Sequence, residues 1–184
     1  MEIKQCRKCS ELCAARTTIV SGVGPDNAKI MIIGEAPGET EDLTGEPFVG
    51  RAGKLLDKIL ESAGLNRKNV YITNTVKCRP PKNRTPTPQE IDNCGVYLWL
   101  EIQQVKPRLI ITLGKTPLVK LLKLKKTIKL GDYIGREIFK EWPNINTTIL
   151  PAYHPSHLLQ HGKKHLEDTQ KLFNMVYDKY IKPF

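Results

Sequence analysis

The chain contains 184 residues, with 29 Lys and Arg against 19 Asp and Glu, which gives a net charge of +10. This length fits one folded domain, which we expect to span residues 1–184. No apolar run approaches the roughly 18 residues of a membrane span, and the segment MEIKQCRKCS lacks the apolar stretch of an export signal, so we expect a cytoplasmic protein. The charge suits nucleic acid more than a membrane surface, although a lysine-rich surface kept for solubility or heat stability explains it equally well.

Four short apolar runs rich in β-branched residues predict buried strands, at 29–34, 69–73, 107–114 and 146–153. Helical patterns lie between them. GRAGKLLDKILESAGL follows the first strand, TPTPQEIDNCGVYLWLEIQQVKP follows the second and opens with a capping box at Thr87, and KTPLVKLL follows the third. A last helix is predicted over 163–180.

The alternation of strands and helices indicates an α/β protein, a three-layer α/β/α sandwich around a central, mostly parallel four-stranded sheet. Ligands of such sheets bind beyond the carboxyl ends of the strands. We therefore expect the segments after Gly34, Thr73, Gly114 and Tyr153 to share one crevice.

The turn after the first strand, GEAPGETED, is bounded by Gly34 and Gly38 and contains Pro37. Two glycines and a proline favour a tight turn whose main-chain N–H groups approach a bound molecule. A nucleotide phosphate is a weak candidate, because the glycine fingerprints of dinucleotide and P-loop sites are absent and the turn is acidic (Glu35, Glu39, Glu41 and Asp42). A neutral heterocycle, a metal ion or a developing cation fits better, while a solvated loop is the simpler interpretation of Glu39.

Three other side chains are candidates for the same crevice. Phe48, between glycines in GEPFVG, is either a core residue or a platform on which a base stacks. Asn74 follows the second strand and is either a turn former or a reader of a pyrimidine edge, since its amide both donates and accepts. His154, before a proline beyond the fourth strand, can donate a hydrogen bond to a leaving group. His157, His161 and His165 are assigned no chemistry.

The cysteines fall into a CxxC pair, Cys6 and Cys9, and a second pair, Cys78 and Cys94, separated by 15 residues. Five cysteines in an intracellular chain argue for metal ligation rather than disulfides. Four thiolates suit Zn²⁺ or an iron–sulfur cluster, and the spacing, looser than that of a zinc ribbon, slightly favours the cluster. Buried apolar thiols are the alternative, which fits Cys13 best.

Three pieces of the chain carry a resemblance: GEAPGETED with TGEPFVGRAG, then VYITNTVKCRPPKNRTPTP, and HPSHLL. Together with the spacing of the four cysteines, they resemble family 4 of the uracil-DNA glycosylases, the thermostable iron–sulfur type. The similarity runs from Cys6 to about Leu159. It implies the glycosylase fold and a hydrolase of base excision repair that removes uracil from DNA and leaves an abasic site. It also implies a 4Fe–4S cluster on Cys6, Cys9, Cys78 and Cys94 that joins the N-terminus to the loop 78–94.

The resemblance also implies roles for the crevice residues. The turn from Gly34 through Glu35, Ala36 and Pro37 would wrap the uracil with main-chain groups, Phe48 would stack on the ring, Asn74 would read N3–H and O4, and His154 would lie by O2. Glu41 would line the pocket near the 5-position. Because Ala36 stands where sister families carry a polar residue, the group that orients the attacking water stays open among Glu35, Glu41 and Asp42.

The predicted substrate is uracil-containing DNA, single- or double-stranded, bound by a monomer near the nucleoid, with a replication clamp as a candidate partner. The predicted DNA contacts are Arg79, Lys82, Asn83, Arg84, Ser156 and Leu158, although Leu158 and Leu159 fit the core equally well. A non-enzymatic iron–sulfur module that binds nucleic acid is the alternative function. A small electron carrier is disfavoured, since the four cysteines spread over 89 positions.

Overall fold

The computed structural model describes residue 3, residues 5–161 and residues 163–182. The strands are β1 (Ile30–Gly34), β2 (Val70–Asn74), β3 (Leu109–Leu113), β4 (Ile138–Trp142) and β5 (Ile145–Ala152). The α-helices are α1 (Ser10–Ala15), α2 (Glu39–Thr44), α3 (Arg51–Ser62), α4 (Pro88–Val105), α5 (Lys115–Leu122), α6 (Pro155–His161) and α7 (Lys163–Tyr180). Single 3₁₀ turns occur at Pro81–Asn83 and Leu130–Asp132.

The strands form one sheet in the order β2-β1-β3-β5-β4. All neighbouring pairs are parallel except β4 and β5. The predicted sandwich with a mostly parallel sheet is confirmed, but the expectation of four strands is wrong by one. The missed strand, β4, lies at the sheet edge and leaves alternate side chains in solvent, with Phe139 67 % exposed, so its sequence has no continuous apolar run.

Alternate side chains of each strand enter two separate cores. Ile30 and Ile32 pack with α3 and α7 on one face of the sheet. Met31 and Ile33 pack with α4 and α5 on the other. Both faces are therefore covered, which explains why the central strands are apolar throughout.

Two segments that we expected to be loops contain short helices. The acidic turn after β1 includes α2, and the segment after His154 includes α6. Helices of six and seven residues are too short for an apolar period of 3.6 to be recognised in the sequence. Within the described residues, no helix is both long enough and apolar enough to cross a lipid bilayer.

Candidate active site

A pocket of about 430 Å³ opens at the carboxyl edge of the sheet. Segments that follow β1, β2, β3 and β5 line it, as expected for parallel strands. The pocket brings together these predicted residues: Glu35, Ala36, Pro37, Glu41, Phe48, Asn74 and His154. The volume is within the range of small-molecule sites, so one heterocyclic base can fit.

Gly34 and Asn74 are partners in the register of β1 and β2, and Asn74 lines the pocket. A Cβ atom at Gly34 would collide with Asn74 Oδ1 and with the Phe48 ring, so only glycine leaves room for both side chains. Asn74 is 2 % exposed, and its Oδ1 accepts no hydrogen bond from any described residue. A buried acceptor without a partner is costly unless a bound molecule donates to it.

Phe48 has a left-handed backbone, with φ at 56°, which is unfavourable for a bulky residue. Arg67 holds this conformation: its guanidinium donates to Pro47 O over 3.0 Å and also to Phe48 O. Asp57 pairs with Arg67 over 2.7 Å. The Phe48 and His154 ring centroids are 5.7 Å apart at 37°, so the two rings flank the same space.

The Glu41 carboxylate organises the main chain around the pocket. Oε2 accepts from Gly38 N over 3.1 Å, and Oε1 accepts from Val49 N and Gly50 N over 3.0 and 2.8 Å. Glu41 thereby connects the turn after β1 to the segment that carries Phe48. Glu35 differs, because a single side chain, Thr116 Oγ1, donates to its Oε2 over 2.5 Å.

Asp42 does not line the pocket. Its carboxylate accepts from the main-chain N–H groups of Thr17 and Thr18 over 2.9–3.1 Å and is 2 % exposed. The inclusion of Asp42 among the candidates for orienting water is therefore wrong: it ties α2 to the N-terminal segment.

His154 has a defined tautomer. Nδ1 accepts from Ser156 N over 3.2 Å and lies 2.7 Å from Ser156 Oγ. Because Nδ1 is an acceptor, the hydrogen of the neutral ring is on Nε2. Burial lowers the pKa of His154 to about 4, although the Glu41 charge opposes this shift, so the ring is neutral at physiological pH and can donate from Nε2.

Known proteins resemble this chain over almost its whole length. The model of the Uracil DNA glycosylase superfamily matches residues 21–179. A type-4 uracil-DNA glycosylase of Thermotoga maritima is 42 % identical over 95 % of this chain and 91 % of its own length. That of Pyrobaculum aerophilum is 39 % identical over 98 % and 94 %. The chain belongs to the uracil DNA glycosylase superfamily, in its type-4 branch.

Another type-4 uracil-DNA glycosylase, of Archaeoglobus fulgidus, is 54 % identical over 114 residues. The match spans 62 % of this chain and 57 % of the Archaeoglobus protein, so the alignment is closer but shorter. The alignments with the Thermotoga and Pyrobaculum proteins extend the similarity to almost the whole of the present chain.

One small cavity is lined by the four cysteines predicted as ligands in this glycosylase-family chain: Cys6, Cys9, Cys78 and Cys94. Arg16 donates to Cys78 Sγ over 3.1 Å, and Lys77 N donates to Cys94 Sγ over 3.3 Å. Within the described residues, no group of three or more His, Cys, Asp or Glu side chains is arranged to hold a metal ion as it stands. Cys13 is outside the cavity, and its thiol donates to Cys6 O.

The basic segment after Cys78 lies beside the pocket. Asn83 and Arg84 contribute to the pocket wall. Arg79 donates to Asn83 Oδ1 over 2.8 Å, and Arg84 is paired with Glu90 over 2.7 Å and Glu11 over 3.1 Å. Lys82 is exposed, with φ at 53°. Arg84 therefore stabilises the start of α4 before any DNA is bound.

One of the predicted DNA contacts on α6 is wrong, and the other, Ser156, stays a prediction. Leu158 is 4 % exposed and belongs to the core with α3 and α7, so its proposed contact with DNA is wrong; its neighbour Leu159 is 48 % exposed. Ser156 is exposed, and its hydrogen bonds orient His154.

Reasoning from the sequence missed Lys77 and Arg67, both of which hold pocket residues in place. Lys77 is fully buried behind Asn74, and Arg67 clamps the segment of Phe48. Neither had a usable signal, because lone basic residues are ordinarily interpreted as surface positions.

The His154 pKa predicts how stability depends on pH. Since the pKa is near 4 in the folded protein and 6.5 for an unperturbed histidine, the unfolded chain binds a proton in this window that the folded chain does not. The contribution of the neutral His154 ring to the free energy of unfolding is complete above about pH 6.5 and is lost as the pH falls through about 4. Thermal melting of the wild type should therefore fall more steeply between these pH values than melting of His154→Gln. Parallel curves for the two proteins would contradict this prediction.

Proposed function

We propose that this protein hydrolyses the N-glycosidic bond of uracil in DNA, releases free uracil and leaves an abasic site without cutting the strand. The observation that carries the proposal is the buried Asn74 Oδ1, which has no hydrogen-bond partner among the described residues and lies beside the Phe48 ring in a pocket of suitable size. The names of the type-4 relatives support the same activity.

Uracil and Asn74 have complementary hydrogen-bonding groups. Asn74 Oδ1 accepts from uracil N3–H, and its amide donates to O4. Cytosine presents the opposite groups at both positions and would leave them unpaired, which can reduce excision by roughly 10⁴-fold. Thymine differs by its 5-methyl group, and we propose that Glu41, fixed by three main-chain donors, forms the steric barrier against it.

Breaking the glycosidic bond places negative charge on the departing base and positive charge on the sugar. His154 Nε2–H, aided by the main-chain N–H groups of Glu35 and Ala36, stabilises the uracil anion at O2. A neutral imidazole is suited to this role, since its Nε2–H donates a hydrogen bond without the ring first being protonated. The carboxylates of the turn stabilise the sugar cation.

We propose Glu35 as the group that orients the attacking water. The Glu41 oxygens already accept three main-chain hydrogen bonds, whereas Glu35 has one oxygen engaged by Thr116. Glu35→Gln should lower the single-turnover rate by roughly 10²-fold and leave the binding of free uracil unchanged. Glu41→Gln should lower the single-turnover rate and also weaken the binding of free uracil, because an amide nitrogen repels the main-chain N–H donors. A Glu35→Gln protein with a normal rate would assign the water to another group.

The target base lies inside the DNA helix and must rotate out to reach this pocket. The net charge of +10 supports a grip on the phosphate backbone. A groove of about 620 Å³ adjoins the pocket at Lys115 and continues past Lys120, Lys123 and Lys126. With Arg79 and Lys82, these lysines provide the backbone contacts that we propose for single- and double-stranded DNA.

The decisive experiment incubates the protein with a uracil-containing oligonucleotide and then cleaves abasic sites with alkali. Cleavage at the uracil position, absent when thymine or cytosine replaces uracil, is the expected result. Cleavage before the alkali step would contradict the monofunctional reaction. Binding without cleavage would favour the alternative, a non-enzymatic nucleic-acid-binding module.

We also propose that Cys6, Cys9, Cys78 and Cys94 hold a 4Fe–4S cluster. Their common cavity and the N–H donors directed at Cys78 and Cys94 support it, since such hydrogen bonds accompany thiolate ligands of iron. When bound, the cluster supplies a structural crosslink between the N-terminus and the loop 78–94 within one domain of residues 1–184.

Cysteine substitutions test the ligand set. Cys78→Ala should abolish the visible absorption of the protein, release iron and lower the melting temperature. Cys13→Ala is the matched control and should keep iron and colour, since Cys13 is outside the common cavity. Retention of four irons per chain by Cys78→Ala would contradict the assignment.

Finer properties complete the proposal. We propose a monomer that acts on chromosomal DNA inside the cell, with a replication clamp as a candidate partner. The basic charge supports the action on chromosomal DNA, because an excess of Lys and Arg favours association with nucleic acid.

A further inference from the structure

Lys77 is a fully buried lysine three residues after Asn74, and its side chain is 1 % exposed. Its Nζ donates to Asn74 O over 2.7 Å, to Thr73 Oγ1 over 2.5 Å and to Glu101 Oε2 over 2.6 Å. All three hydrogens of the ammonium therefore have an acceptor, and one acceptor is the main chain of the residue proposed to read uracil.

The peptide group between Asn74 and Thr75 is held at both ends. Its carbonyl accepts from Lys77 Nζ, and its N–H, on Thr75, donates to Gly34 O over 2.9 Å. Thr75 Oγ1 donates to the same oxygen over 2.8 Å. With both polar atoms fixed, this peptide cannot rotate, and the backbone from which the Asn74 carboxamide projects keeps one orientation.

Glu101 anchors the other end of this network. Its Oε2 is shared by Lys77 and Thr73 Oγ1, and its Oε1 accepts from Gly22 N over 2.9 Å. A buried ion pair usually adds little to the stability of a protein, because a protein with an apolar pair of similar volume in its place is often as stable. A satisfied network of this kind is better suited to fixing a geometry.

Lys77 also contacts the cysteine site. Its main-chain N–H donates to Cys94 Sγ over 3.3 Å, while its side chain reaches back to Asn74. The same residue thus lies between the proposed cluster and the base-reading side chain.

We propose that Lys77 is a positioning residue for uracil recognition: it fixes the Asn74 peptide so that the carboxamide meets N3–H and O4. This inference rests on the proposed function, because Asn74 acquires its role there. A carboxamide displaced by about 1 Å would lose both hydrogen bonds, which can cost on the order of 10²-fold in rate.

A double-mutant cycle with Asn74 tests the role. Lys77→Met should lower kcat/KM for a uracil oligonucleotide by about 10- to 100-fold and raise the inhibition constant of free uracil. In the Asn74→Ala background, the same substitution should change both values by about 2-fold or less, because the side chain that Lys77 positions is gone. Equal losses in both backgrounds, or no loss in the wild type, would overturn the proposal.

Two further proteins separate positioning from loss of stability. The double variant Lys77→Met with Glu101→Leu avoids an unpaired buried charge and should still show the loss, so it replaces the single variant if that protein does not fold. Phe173→Leu, in the core with α7, is the control for stability and should lower the melting temperature without changing the inhibition constant of uracil. If the wild type excises no uracil, the proposed function fails and the role of Lys77 falls with it; if the wild type is active, the cycle alone decides.

Discussion

Replacement of His154 by alanine is expected to slow uracil excision by roughly 10²–10⁴-fold, the usual contribution of one positioned donor or general acid. The ring lines the pocket, faces Phe48 at a centroid distance of 5.7 Å and, as the Nε2–H tautomer, provides a donor for uracil O2. The measurement is the single-turnover rate at saturating enzyme, which separates the chemical step from DNA binding and product release.

The pH dependence adds a second criterion. Since the His154 pKa is near 4, the rate of the wild type should not titrate with this residue between about pH 6 and 8. His161→Ala is the matched control, because His161 is exposed at the end of α6 and does not line the pocket. A near-normal rate for His154→Ala would remove this residue from the mechanism.

Asn74→Ala is expected to reduce kcat/KM for uracil by roughly 30- to 10⁴-fold. The substitution leaves N3–H and O4 of the bound base without partners, and each unpaired buried group costs about 1–3 kcal/mol. The free energy of unfolding should fall little or even rise, because the wild type buries Asn74 Oδ1 without a described partner. Excision of uracil and chemical denaturation of the same preparations measure the two effects.

An asparagine of β5 provides the control for this substitution. Asn146 is exposed and does not line the pocket, so Asn146→Ala should retain the wild-type kcat/KM. If Asn74→Ala discriminated against cytosine as strongly as the wild type, base reading would have to be assigned to another residue.

The pocket shows how far sequence patterns extend. Glu35, Asn74 and His154 were expected to meet because each follows a predicted strand, and parallel strands bring their carboxyl ends to one edge. Phe48 also lies where its glycine-flanked motif indicated. The roles of the carboxylates could not be predicted this way: whether Glu41 contacts a ligand or the main chain depends on where the segment 49–50 lies in space.

The sequence patterns also failed to predict the edge strand and the short helices. The strand β4 pairs with a single neighbour and has a half-exposed alternation, while α6 is too short to show an apolar period. Leu158 illustrates the consequence. Its placement among the DNA contacts assumed a loop, whereas the helix turns its side chain into the core.

The sequence by itself determined the sandwich, the order of the main elements, the edge at which the pocket opens and the two cysteine pairs. These follow from local periodicity and from motifs within short segments, which need no knowledge of distant contacts. Only the tertiary structure decided the tautomer of His154, the burial of Lys77 against Glu101 and the clamp of Arg67 on Phe48. Whether a basic side chain is solvated or buried depends on whether the fold brings a carboxylate to it, and Glu101, the partner of Lys77, lies 24 positions further along the chain.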